Sequence, residues 1–85
     1  MVNEHKVEVG KITHFFPKIN VAVVHASKEI RVGDKLLIEG RGKSFEQVVS
    51  SMQVEHKNIA DAKAGQEFGM KMNQPVKEGD VVYKI

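Results

Sequence analysis

Apolar residues recur at every second position in short bursts, and several bursts are announced by a glycine. Val32-Gly33-Asp34 precedes Leu36 and Ile38, Ala64-Gly65 precedes Phe68, Met70 and Met72, and Glu78-Gly79-Asp80 precedes Val82. Period-two alternation belongs to strands, whose successive side chains point to opposite faces. Glycine supplies backbone angles that other residues avoid, and a neighbouring aspartate can accept from the N–H groups of the turn. The pattern predicts antiparallel strands joined by tight turns.

The rest of the chain extends this reading. Val7 and Val9 share a face, but the next apolar residue is Ile12, so the alternation changes parity and predicts a bulge at Gly10. Pro17-Lys18-Ile19-Asn20 separates Phe15-Phe16 from the run Val21 to His25, a hairpin closing about Lys18 and Ile19. Ser27 to Arg31 is a polar connection, and a further strand ends at Gly40. After the basic tip Gly40-Arg41-Gly42-Lys43-Ser44, one long strand is expected to place Val48, Met52 and Val54 on a common face. Asn58 to Lys63 is expected to be a loop with one tight turn, followed by strands at Glu67 to Met72 and Val81 to Ile85. With no room for parallel crossovers, the prediction is an all-β, closed antiparallel barrel of six or seven strands, because closure hides sheet edges. Residues 1–85 form a single domain in this reading, with 1–6 a flexible N-terminal segment.

Composition narrows the setting. The chain has 85 residues and no cysteine, which excludes disulfides, thiolate metal sites and a cysteine nucleophile, and suits a reducing compartment. No apolar stretch approaches about 18 residues and the N-terminus is polar, so neither a membrane span nor a signal peptide is expected, and the localisation predicted is cytoplasmic. Thirteen Lys and Arg face eleven Asp and Glu, a formal net charge of +2 with the signs interspersed. That balance permits phosphate contact without demanding it.

Candidate chemistry is sparse. Ser27, Ser44, Ser50 and Ser51 lack a strand-to-helix elbow and a companion histidine, and Glu46, Glu55 and Glu67 fall at outward strand positions. A small barrel also fills its own interior. The expectation is therefore a protein that is not an enzyme and has no cofactor. Gly40 to Ser44 has neither the spacing nor the following helix of a phosphate loop, so no nucleotide is expected. The histidines are His5, His14, His25 and His56. His14 and His25 fall on one face of the predicted hairpin at a diagonal of roughly 7–8 Å, a weak alternative pair for zinc that lacks a third ligand. Surface residues offer more. One of the adjacent Phe15 and Phe16 must face away from the core, with Lys18 beside them, while Arg41 and Lys43 alternate with glycines at the other tip.

Gly10-Lys11-Ile12, Val21 to Val24, Val32-Gly33-Asp34-Lys35-Leu36, Val48 to Val54, Ala64-Gly65 with Gly69, and Glu78-Gly79-Asp80 resemble the second-domain β-barrel of translation GTPases such as elongation factor Tu. Gly10 to Ile19 and Ser51 to Lys57 are more similar to the C-terminal barrel of the collagenase-like peptidases and to small stand-alone elongation-factor-like proteins. The resemblance covers nearly the whole chain and implies a non-catalytic accessory module. One expectation is association with RNA or a ribonucleoprotein, the ribosome or tRNA, through Phe15, Phe16, Lys18, Arg41 and Lys43. The alternative is an interaction subunit docking on a separate peptidase-like or RNA-modifying enzyme.

Overall fold

A computed structural model describes residues 6–85, which form ten strands and no helix. These are β1 (Val7–Phe16), β2 (Val21–Ala26), β3 (Ile30–Arg31), β4 (Lys35–Gly40), β5 (Lys43–Val48), β6 (Met52–Val54), β7 (Lys57–Ile59), β8 (Asp61–Ala62), β9 (Glu67–Lys71) and β10 (Val81–Lys84). Eight of them make one antiparallel sheet in the order β5-β4-β10-β1-β2-β9-β6-β7, and β3 pairs with β8 separately. Among the described residues there is thus no helix long and apolar enough to cross a membrane. Residues 1–5, including His5 and most of the segment expected to be flexible, lie outside the described residues. Lys6 is held: its Nζ is 3.2 Å from Glu39 Oε2 and 4.4 Å above the Tyr83 ring.

β1 carries two irregularities, and they decide what its tip presents. Against β10 the register passes from Glu8 opposite Tyr83 to Gly10 opposite Val82, the bulge that the sequence parity requires. A Cβ at Gly10 would meet the His25 carbonyl oxygen at 2.8 Å, so the crossing strands need glycine there. A second shift, between Ile12 and His14 against β2, makes Thr13 the extra residue, and its hydroxyl donates to Val23 O at 3.3 Å. Beyond it, Phe15 packs on the core and Phe16 is 44% exposed. The hairpin closes about Lys18 and Ile19 as expected, with Phe16 paired to Val21.

The core gathers Val9, Ile12, Ala22, Val24, Leu36, Ile38, Met52, Phe68, Met70 and Val82 from both halves of the sheet. Burying each large aliphatic or aromatic side chain contributes about 1.5–3 kcal/mol against exposure. Ile30 of β3 and Ala62 of β8 are also wholly buried, so the two-stranded sheet closes one end of that core.

The expected backbone closure is not found: the ladder ends at β5 on one side and β7 on the other, with no strand pairing between them among the described residues. The expected long strand is divided instead. Phe45, Gln47 and Val49 take the inward positions and Val48 is 53% exposed, the reverse of the expected parity. Val49 leaves the ladder to bond the turn before β4, donating its N–H to Asp34 O at 2.9 Å and accepting from Gly33 N at 2.9 Å. A new strand starts at Met52. Inward-facing Gln47 provides part of the missing seam: Nε2 donates to Lys71 O at 2.9 Å, and Asn73 N donates to Oε1 at 2.8 Å. An amide carries both a donor and an acceptor, so one side chain substitutes here for a pair of backbone partners.

The segment expected as a loop, Asn58 to Lys63, lies mostly in β7 and β8. Its origin is a two-residue turn at Glu55 and His56, with φ of 52° and 66°, between paired Val54 and Lys57. Two successive left-handed residues are what tight hairpins favour, usually supplied by Asn-Gly. Here neither is glycine, which is why the turn is silent in the sequence.

Candidate binding groove

Three turns share one construction. In residues 31–34, 63–66 and 77–80 the third residue is a glycine, with φ of 97°, 87° and 93°. The fourth residue's N–H returns to the first carbonyl, at 3.1, 3.0 and 3.1 Å. The fourth side chain then accepts from the first N–H: Asp34 Oδ2 at 2.9 Å, Gln66 Oε1 at 3.1 Å and Asp80 Oδ2 at 2.9 Å. A positive φ at the third position and the return bond define a type II turn, and the fourth side chain caps it. Each glycine N–H is also used, donating to Val49, Ala26 or Ile12 of another segment.

The first residue of every one of these turns is a cation: Arg31, Lys63 and Lys77. Arg31 and Lys63 share Glu29, at 3.1 and 3.4 Å from Oε2, and Lys63 also reaches Asp61 at 3.3 Å. The hydrogen bond and charge of Glu29 raise the Arg31 guanidinium above its ordinary value, and Asp61 does the same for Lys63. Asp61 in turn is held below the usual carboxylate range, chiefly by the hydrogen bond from Lys63. Lys77 has no acidic partner among the described residues.

Strand registers place the third turn at the opposite end from the other two. Lys11, Val81 and Glu39 lie side by side across β1, β10 and β4, and from that row the β1–β2 and β4–β5 hairpins both project. The segment from Met72 to Asp80 crosses this end. It is pinned by Met72 N to Asn20 O at 2.7 Å, by Gln47, and by Gly79 N to Ile12 O at 2.8 Å. Between it and the β4–β5 tip lies an open groove of about 830 Å³. Pro75, Val76, Val81 and Tyr83 contribute apolar surface, while Arg41, Lys43 and Lys77 bring positive charge and Glu39, Glu78 and Asp80 negative charge.

These charges are unequally occupied. Glu39 is paired with Lys6, Glu78 Oε2 lies 3.4 Å from His14 Nδ1, and Asp80 caps its turn and packs where a Gly40 Cβ would be. Lys43 Nζ donates to Pro75 O at 3.0 Å and lies 5.8 Å from the Phe45 ring centroid, so it fastens the crossing segment to β5. Arg41 and Lys77 are exposed, and among the described residues neither forms an ion pair or a side-chain hydrogen bond.

The five expected contact residues therefore separate. Arg41 and Lys43 line the groove. Phe15 faces the core, and Phe16 and Lys18 sit on the neighbouring hairpin outside the groove lining, with the Phe16 ring edge-on to His14 at 4.4 Å. Sequence reasoning missed Lys77 and Tyr83; the one available signal was the base that opens each glycine turn. The register sets His14 opposite Val23, two residues from His25 and so on the diagonal expected for the histidine pair. His14 lies beside Glu78 and His25 Nδ1 is 3.7 Å from Glu67 Oε2, and among the described residues no three metal-capable side chains gather.

The strand arrangement is also found in a C-terminal domain of known structure. The C-terminal domain of a Geobacillus thermoleovorans protein assigned to the U32 peptidases superposes with a TM-score of 0.86, covering 100% of this chain and 98% of that domain at 19% identity. Its selenomethionine variant gives 0.84 over 88% of this chain and 95% of that domain, at 20% identity. In sequence, the chain is 40% identical over 81 residues to an uncharacterized protease of Methanocaldococcus jannaschii. That alignment takes in 94% of this chain but only 20% of the protease. No family model matches the chain.

Proposed function

We propose that this chain is a non-catalytic accessory module that docks on a peptidase-like enzyme, the role anticipated as the alternative to RNA association. The observation that carries the reading is the asymmetry of the alignment: nearly all of this chain corresponds to one-fifth of a protease. The fold agrees, since it matches a C-terminal domain. We take the architecture to be a barrel unsealed along the seam bridged by Gln47.

Charge argues in the same direction. Lys6, Arg31, Lys35, Lys63 and Lys84 each lie within 3.4 Å of a carboxylate oxygen, so these five of the thirteen basic residues are engaged within the fold rather than held out to a phosphate backbone. The ribosome and RNA expectation rests on the translation-factor resemblance and on the basic tip of Arg41 and Lys43. The test is affinity capture with the tagged chain from lysate of its source organism, with and without nuclease, and identification of retained proteins by mass spectrometry. Retention of a peptidase-like enzyme after nuclease treatment is the expected result. Capture confined to ribosomal proteins and abolished by nuclease would reverse the assignment.

A further inference from the structure

We infer that the groove between the β4–β5 tip and the Met72–Asp80 segment binds an acidic stretch of protein, an extended peptide carrying at least one carboxylate next to an apolar side chain. This rests on the docking reading above and specifies its contact. Three observations lead to it.

The first is the surplus charge. Within the groove Glu39, Glu78 and Asp80 are already engaged and Lys43 is bonded to a carbonyl, which leaves Arg41 and Lys77 as the cations to be satisfied. The molecule neutralises the equivalent cations elsewhere: Arg31 and Lys63 open turns of the same construction and have Glu29 and Asp61 beside them. The second is the apolar part of the lining: Pro75 is exposed, Val81 and Tyr83 are half-buried, with Lys6 over one face of the Tyr83 ring, and Val76 is buried. The third is the chemistry of Arg41, whose planar guanidinium pairs with a carboxylate through two parallel bonds. A nucleic-acid strand fits less well. Its phosphates recur at every residue, whereas within the groove only Arg41 and Lys77 are without a partner among the described residues.

The experiment uses fluorescence polarisation with a labelled decapeptide of alternating glutamate and leucine, the same peptide with glutamine for glutamate, and a decamer of oligouridine. The glutamate peptide is expected to bind about ten-fold or more tightly than the glutamine peptide. Arg41→Gln combined with Lys77→Gln is expected to remove a similar factor, the size of one or two charge-assisted hydrogen bonds. Amide chemical-shift changes in the native chain should centre on Gly40, Val81 and Tyr83. Both substituted residues are exposed, and an unchanged melting curve would confirm that the variant is folded. Equal affinity for the two peptides, no binding of either, no loss in the double variant, or tighter binding of the oligouridine at the same amides would each overturn the inference. If the peptidase-like partner is still captured while the peptide results are negative, the groove fails and the docking reading survives. If no such partner is captured, the docking reading itself fails.

Discussion

Arg31 and Lys63 open two glycine turns at one end of the molecule, and Lys77 opens a third at the other. The three share their glycine conformation, their return hydrogen bond and their capping side chain. They differ in what surrounds the cation. At the first end Glu29 and Asp61 hold both cations within a small ionic network that flanks the β3·β8 pair. At the second the cation borders a groove shared with Arg41 and Lys43, and no carboxylate pairs with it among the described residues. Backbone geometry alone gives no reason for a base in the first position, since the N–H is the group that the turn uses. The difference separates a turn whose charge serves the fold from one whose charge is left for something outside it.

The contrast can be broken most severely at Gln47, which fastens the segment leading to the third turn and whose side chain forms no hydrogen bond to the others. Gln47→Leu removes the bonds to the Lys71 carbonyl and from the Asn73 N–H, a loss of about 2 kcal/mol. For a domain of this size that lowers Tm by roughly 10 °C or more. Hydrogen exchange should quicken at Asn73 to Asp80 while the 31–34 and 63–66 turns keep their protection. Uniform loss of protection would show that the two ends are not separable.

A smaller effect tests whether the turns are equivalent. A methyl added at Gly33, Gly65 or Gly79 meets nothing within 4 Å, so alanine there incurs only the cost of a left-handed backbone, about 1 kcal/mol at each position. Chemical denaturation of the three variants should give values within about 0.5 kcal/mol of one another, inside the scatter of independent sites. A markedly larger loss at Gly79 would mean that the third turn bears load that its partners do not.

The smallest effect is in pH. Asp61 is lowered in the folded protein, so its contribution is fully present above the ordinary aspartate value of about 3.9 and is lost as pH falls through the lower folded value. Urea midpoints followed downward from about pH 6 should therefore decline less steeply in Asp61→Asn than in the parent.

Much of this fold was written in residue types whose backbone demands are strong. The glycine turns, the bulge beside Gly10, where Val9 is the extra residue, and the division of Phe15 from Phe16 all follow from local rules, and all are present. The second bulge, at Thr13, has no glycine to announce it, and the Glu55-His56 turn forms without the usual residues because the paired strands around it fix the register. Gln47 was illegible for another reason. A polar residue next to a valine reads as the outward one, and only the carbonyl and N–H supplied by residues 71 and 73 reverse that preference. The candidate site was legible in Arg41 and Lys43. Lys77 was not, because its significance lies in the absence of a carboxylate that chain neighbours alone do not predict.

The unjoined ladder has a consequence for how these molecules behave in a crowd. A sheet whose last strands do not meet keeps two rows of backbone groups able to pair with a neighbouring copy, the usual start of fibrous association. Lys43 and Glu46 lie along β5, and Lys57 stands at the start of β7, each exposed. A neighbouring strand would have to bury these charges, and on β5 and β7 they are the features of the sequence that discourage such pairing.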